Sequence, residues 1–391
     1  MILKVKVEKK YKELFNEEPF LFRSPGRINL IGEHTDYNMG YVLPAAIDKA
    51  IYFAINNRND NYCKIYSLDL NDSFEFSLNK ICKSGKHWPD YLIGAVDQLI
   101  KNGYSISGFN CVFNGDIPIG SGLSSSAALE AGILFALNRI FNLGINNIEL
   151  VKLAQKAENE FVGVQCGIMD QYINIFGKRG NALRIDCRSL EYEYFPFKLD
   201  NVSIVLIDSN VSHSLFTSEY NKRRQECNDG IAIINKDHPE VKSLRDVSRE
   251  MLYEYKSKLN ETVYKRCKFV VEENDRLIKA CEALNISDLK LFGSLMYQTH
   301  EGLSKDYEVS CKELDYLVEL TKTNSSVYGS RMMGGGFGGC TINLIENSAI
   351  ELISKTIMAE YKEKFGLEAK TYITKISDGT NIISIKENAE I

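Results

Sequence analysis

The chain of 391 residues lacks a long apolar run, a paired-cysteine motif and any low-complexity tract or internal repeat. No stretch approaches the ~18 apolar residues of a membrane-spanning helix. The opening MILKVKVEKKYKELF has no apolar signal core followed by small residues. The ten cysteines lie scattered without a CxxC pair, which argues against a zinc ribbon or a redox dithiol and leaves reduced, mostly buried thiols as the expectation. Strong charge of one sign is also missing. The net charge is −5 and the pI about 5.8, so no nucleic-acid field is expected. The one basic run, Lys222-Arg223-Arg224, is short and reads as a solvated helix face. These absences lead us to expect a cytoplasmic protein that binds neither membrane nor nucleic acid; a monomer is expected, though nothing in these absences argues for it.

What is present is an ordinary globular composition, 44% hydrophobic and 25% charged with only 7 prolines, long enough for more than one domain. Residues 4–16 read as a polar helix. From Phe20 to Ile55 short extended runs alternate with turn residues, and CKIYSLDL and SFEFSL continue that strand texture. YLIGAVDQLIKNG has helical spacing, Ser125 to Phe141 is apolar on nearly every side, and IELVKLAQKAENEFVG reads as a further helix. Residues 214–323 are mostly helical, and strands return in GCTINLI, AKTYITKI and NIISI. This interleaving predicts an α+β fold of two domains, 1–195 and 196–391.

PIGSGLSSSAALE, residues 118–130, sets Gly120 and Gly122 before Ser124, Ser125 and Ser126 and a buried helix. Glycines let backbone N–H groups approach an anion, the helix start adds unsatisfied N–H groups, and the hydroxyls can reach phosphate or Mg²⁺. One serine would suffice for capping, so the triple points to phosphate. No Lys-Ser or Lys-Thr follows the glycines, which excludes a Walker A loop, and Ser125 stands where a dinucleotide fingerprint needs its third glycine. GGGFGG, 334–339, formally matches that fingerprint but runs into a strand, CTINLI, and fails its context. It reads either as a close approach to another loop or ligand, or as a plain turn.

Two carboxylates stand out near this loop. Glu158 falls between Ala154 and Phe161 inside an apolar arc, where it needs a metal, a lysine or a snorkelling path to water. Asp170, in VGVQCGIMDQYINIFG, sits among glycine and apolar neighbours and reads as a general base or as a helix cap. Upstream, RSPGRINLIGEHTDYNMGYVLPAAI crowds Arg27, Asn29, Glu33, His34, Asp36 and Tyr37 between apolar runs, as either a polar turn or a polar pocket.

GRINLIGEHTDYNMGYVLP (26–44) resembles the galactokinase signature almost position for position, and PIGSGLSSSAA resembles the phosphate loop of the GHMP kinase superfamily. AENEFVGVQCGIMDQ is similar to the segment carrying that family's catalytic aspartate, and GSRMMGGGFGGCTI to its third motif. The resemblance implies a two-domain fold with the active site in the cleft between domains, and transfer of the ATP γ-phosphoryl group to the C1 hydroxyl of galactose. It implies Asp170 as base beside that hydroxyl and Arg27 as stabiliser of its charged partners. Glu33, His34, Asp36, Gly167 and Tyr220 would touch the sugar. Gly120, Ser121, Gly122, Leu123, Ser124, Ser125 and Ser126 would surround the phosphates, Trp88 would lie by the adenine, and Ser125 and Glu158 would hold Mg²⁺. Rival expectations are a kinase for N-acetylgalactosamine, galacturonate or arabinose, and a catalytically silent sugar sensor on the same scaffold. A nicotinamide dehydrogenase is already weakened by the failed fingerprint.

Overall fold

The structure, a computed structural model, describes residues 3–118, 120, 122–211 and 216–384. Its strands are β1 (Phe20–Asn29), β2 (Tyr41–Val42), β3 (Pro44–Asn57), β4 (Tyr62–Ser67), β5 (Asp72–Ser77), β6 (Phe109–Gly115), β7 (Asn181–Asp186), β8 (Tyr192–Pro196), β9 (Val202–Asp208), β10 (Val327–Met332), β11 (Cys340–Glu346), β12 (Lys370–Thr374) and β13 (Asn381–Ser384). The helices are α1 (Leu3–Phe15), α2 (Trp88–Lys101), α3 (Ser125–Ile140), α4 (Asn147–Lys156), α5 (Met169–Phe176), α6 (Phe216–Ile234), α7 (Arg249–Glu254), α8 (Glu261–Asn285), α9 (Leu289–Lys305), α10 (Lys312–Lys322) and α11 (Ile350–Phe365).

The strands form three sheets, in the orders β13-β1-β3-β6-β4-β5, β10-β11-β9-β12 and β2-β7-β8. All neighbours are antiparallel except β4 with β6. The α+β expectation therefore holds. The first sheet takes its outermost strand, β13, from the far end of the chain, with Arg23 opposite Asn381.

α3 is the helix that seats the site. Its residues Ala127 to Asn138 are buried, as a stripe apolar on nearly every side demands. It packs on β1 and β3 and touches α2, α4 and α5. α5 is tied to the same sheet through Asn174. Its amide donates to the Pro25 carbonyl at 2.6 Å, and its oxygen accepts from Ser24 at 3.1 Å and from Thr380.

Two expectations need correction. The helix expected across 148–163 ends as α-helix at Lys156 and continues as a wider π turn over Ala157–Val162. The Gly163 N–H reaches back five residues to the Glu158 carbonyl at 2.8 Å. The basic run is not a solvated face either. Lys222 is exposed, but Arg223 is buried, donating to the carbonyls of Tyr307 at 2.8 Å and Glu308 at 2.6 Å. The thiols match expectation: the ten cysteines are unpaired and only Cys82 is exposed. No helix among the described residues is long and apolar enough to cross a membrane.

Candidate active site

A cleft of about 410 Å³ opens between the end of β1, the start of α3, the π turn, α5 and the loop between β10 and β11. At its centre Arg27 binds Asp170 through both ends of its fork. Nε donates to Oδ1 at 2.8 Å and Nη2 to Oδ2 at 2.7 Å, while Nη1 donates to the Gly122 carbonyl. Bidentate charge-assisted pairs of this kind fix orientation as well as supplying energy. Burial alone would lower the Arg27 pKa; the Asp170 carboxylate outweighs it and leaves the guanidinium raised. The Arg27 N–H also donates to the Leu123 carbonyl at 3.2 Å, so β1 and the glycine-rich loop meet at one residue.

The loop enters α3 through Ser124, which has a left-handed backbone, φ 56°, and makes no side-chain cap. Its hydroxyl donates to Asp170 Oδ2 instead. The capping alternatives therefore fall for both residues: Asp170 lies in the first turn of α5, whose N-cap is Ile168. Ser125 and Ser126 follow on the cleft wall, with Gly120, Gly122 and Leu123 before them; Ser121 lies outside the described residues.

The signature residues form the other end of the cleft. Glu33 is nearly buried, and its Oε1 accepts from the Gly334 N–H at 2.8 Å and from both terminal nitrogens of Arg331 at 3.1 Å. Burial drives the His34 imidazole down to about 3, with Arg223 and Arg331 acting in the same direction against a backbone contact to Gly335. It is therefore a neutral ring at any working pH. Its Nδ1 lies 2.7 Å from the Tyr37 hydroxyl, and the Tyr220 ring stands 5.4 Å away. Asp36 is pushed up to about 7, first by burial and then by the nearby charges of Asp170 and Glu33. Gly167 lies against it: a Cβ at that position would collide with Asp36 Oδ2.

Behind the serines lies a carboxylate pair. Glu158 accepts from Gln171 Nε2 at 2.7 Å and touches Cys166 Sγ at 3.5 Å and the Ser126 hydroxyl. Among the described residues no lysine pairs with it. Burial raises its pKa, with Asp170 adding to the effect, and burial plus Glu158 raises the wholly buried Glu130 well above the ordinary range. Glu130 Oε1 and Gln171 Oε1 have no hydrogen-bond partner among the described residues. Among the described residues no group of three or more His, Cys, Asp or Glu could hold a metal unaided. The donors present, two hydroxyls and a desolvated carboxylate beside a phosphate-type loop, fit a hard divalent cation whose remaining ligands are phosphate and water.

Arg27, Glu33, His34, Asp36, Gly120, Gly122, Leu123, Ser124, Ser125, Ser126, Glu158, Gly167, Asp170 and Tyr220 thus line one cleft. Trp88 does not. It opens α2 with its indole N–H on Asp72 at 3.1 Å and its ring 5.6 Å from Phe113, and Tyr91, one turn later, lines the cleft instead. The sequence reading missed Arg331, Met333 and Tyr91. Arg331 stood inside a quoted motif, but nothing in its spacing marks a buried arginine. GGGFGG proves to be a close approach rather than a plain turn: Gly336 has φ +87°, and a Cβ there would collide with the Val309 carbonyl.

A cleft with a glycine- and serine-rich end and a polar end built from the signature residues, joined by an Arg–Asp pair, fits a small-molecule kinase of the GHMP class. Residues 90–178 match the family of GHMP kinases N-terminal domains and 277–361 that of GHMP kinases C-terminal domains. Residues 9–57 match the galactokinase galactose-binding signature. The chain is 42% identical to galactokinase of Roseiflexus sp. (strain RS-1), over 92% of each chain. It is also 42% identical to galactokinase of Thermotoga petrophila, over 92% of this chain and 99% of that one. The crystal structure of Lactococcus lactis galactokinase complexed with galactose superposes with a TM-score of 0.92 at 37% identity, covering 96% and 98% of the two chains. The chain belongs to the galactokinase family.

Proposed function

We propose that the protein transfers the γ-phosphoryl group of ATP to the C1 hydroxyl of galactose, yielding galactose 1-phosphate and ADP. The observation that carries this reading is Asp170, held at once by Arg27 and by Ser124 of the glycine-rich loop. A carboxylate there meets the phosphate end of the cleft on one side and the signature on the other. Phosphoryl transfer needs alignment and charge stabilisation more than covalent chemistry. Asp170 orients the attacking hydroxyl and takes its proton as the new P–O bond forms. Arg27 and the N–H groups at the start of α3 stabilise charge on the transferring group. Glu33, His34, Asp36 and Tyr220 read the sugar hydroxyls, since charged acceptors bind a donating hydroxyl strongly and a misplaced hydroxyl leaves a buried group unpaired. Ser125 and Glu158 would hold Mg²⁺, which supplies charge neutralisation on the phosphates. We extend the proposal to two units, 1–195 and 196–391, with β13 crossing back to the first.

The test is ADP release with a panel of galactose, N-acetylgalactosamine, galacturonate, arabinose and glucose. Galactose should lead; binding of sugar and ATP without ADP release would instead support a sensor. Asp170→Asn should keep the fold, with a lowered melting temperature as the Arg27 pair is lost, and lower kcat by ~10²–10⁴-fold. Near-normal turnover in that variant would remove Asp170 from its role.

A further inference from the structure

Arg331 has no exposed surface and lies at the end of β10, outside every residue set discussed for the reaction. A guanidinium carries five N–H donors, and here each has an acceptor. Nε donates to the Leu30 carbonyl at 2.9 Å. Nη1 donates to the Met332 carbonyl at 2.6 Å and to Glu33 Oε1 at 3.1 Å, and Nη2 to the Asn29 carbonyl and to the same Glu33 oxygen at 3.1 Å. With the Gly334 N–H at 2.8 Å, three donors converge on Oε1. A carboxylate oxygen so occupied has no capacity left for a ligand, and because Glu33 lines the cleft, Oε2 is the oxygen left to meet one. Gly334 also borders the glycine-rich loop, close to the Gly122 carbonyl.

We infer that Arg331 is a positioning residue for sugar recognition: it locks Glu33 with one oxygen turned inward, so that the other is presented to the cleft purely as a hydrogen-bond acceptor. This rests on the proposal that Glu33 reads a sugar hydroxyl. The lock has a consequence that simple packing lacks. Arg331 and the Gly334 N–H can only donate, so an amide at position 33 must turn its oxygen inward and its NH₂ toward the sugar. Glu33→Gln therefore converts an acceptor into a donor at a fixed point.

The experiment measures kcat and both KM values for Glu33→Gln and Arg331→Lys, with galactose and its singly deoxyfluorinated analogues. Lysine keeps the charge but not the planar fork. Glu33→Gln should raise the galactose KM by roughly tenfold or more; Arg331→Lys should raise it by about fivefold or more with the ATP KM and kcat within about twofold. At the position Glu33 reads, fluorine has lost the donated proton. It should penalise the parent enzyme strongly and Glu33→Gln much less, and this readout stands even if Arg331→Lys does not fold. An unchanged galactose KM in Glu33→Gln overturns the sugar-contact reading of Glu33. A raised KM in Glu33→Gln with an undiminished fluorine penalty, or a folded Arg331→Lys that leaves the galactose KM unchanged or impairs both substrates and kcat together, overturns the lock alone.

Discussion

Asp36 shows how a single residue can hold strain in reserve. A carboxyl raised to about 7 keeps its proton in the folded state where the unfolded chain, near 3.8, has lost it. Its contribution to stability is therefore fully present below about pH 4 and is lost as pH rises through 7. Asp36→Asn removes that loss, so the ligand-free variant should melt higher than the parent at pH 8 and not at pH 4, as differential scanning would read. At pH 8, where Asp36 is ionised, the same variant should bind galactose at least ~10-fold more weakly, because an amide cannot replace an ionised acceptor. Gly167 belongs to this pair. Gly167→Ala drives a methyl group into the Asp36 carboxylate, and the expected outcome is a ~10-fold or greater rise in galactose KM with kcat less affected. Asp36 and Gly167 were legible in the sequence only through the family resemblance, Asp36 in the signature and Gly167 in the segment that carries Asp170. By residue type alone, an aspartate in a polar turn and a glycine before an apolar stretch carry no mark of touching each other.

Among the elements, α5 is the one whose placement decides whether Asp170 meets Arg27. Asn174, buried on the same helix, holds α5 to β1 and to Thr380, the residue before β13, with three side-chain contacts. Asn174→Ala takes the amide donor from the buried Pro25 carbonyl and the shared acceptor from Ser24 and Thr380, and should cost about 1–3 kcal/mol of stability, measurable by denaturant titration. α3 was readable in advance to within a residue because its apolar positions ring the helix. The glycine-serine run before it announced an anion site by chemistry alone. The π turn was not readable. An extra residue per turn leaves no trace in an apolar pattern, yet it sets where Glu158 projects. Arg223 failed for a related reason, since a basic triplet looks solvated until a neighbouring loop brings carbonyls to one member of it. The three-sheet topology was equally hidden, because pairing between β1 and β13 depends on residues more than 350 positions apart.

At the scale of the molecule, the distribution of thiols is informative. Cys82 is exposed, whereas Cys166 lies in the cleft, where burial pushes its thiol well above the ordinary range. Brief alkylation at neutral pH should therefore modify Cys82 first, as peptide mass mapping would show, and leave turnover unchanged. Galactose with a non-hydrolysable ATP analogue should slow any later modification of Cys166. Early loss of activity that tracks Cys82 labelling would contradict this order. The return of β13 to the first sheet bears on biosynthesis as well as on architecture. Until residues 381–384 have left the ribosome, the amides and carbonyls on that flank of β1 have no strand to pair with, and exposed edges of this kind invite association with other chains. The nascent polypeptide must therefore carry one border of its first sheet open until a segment more than 350 positions downstream of β1 has been made.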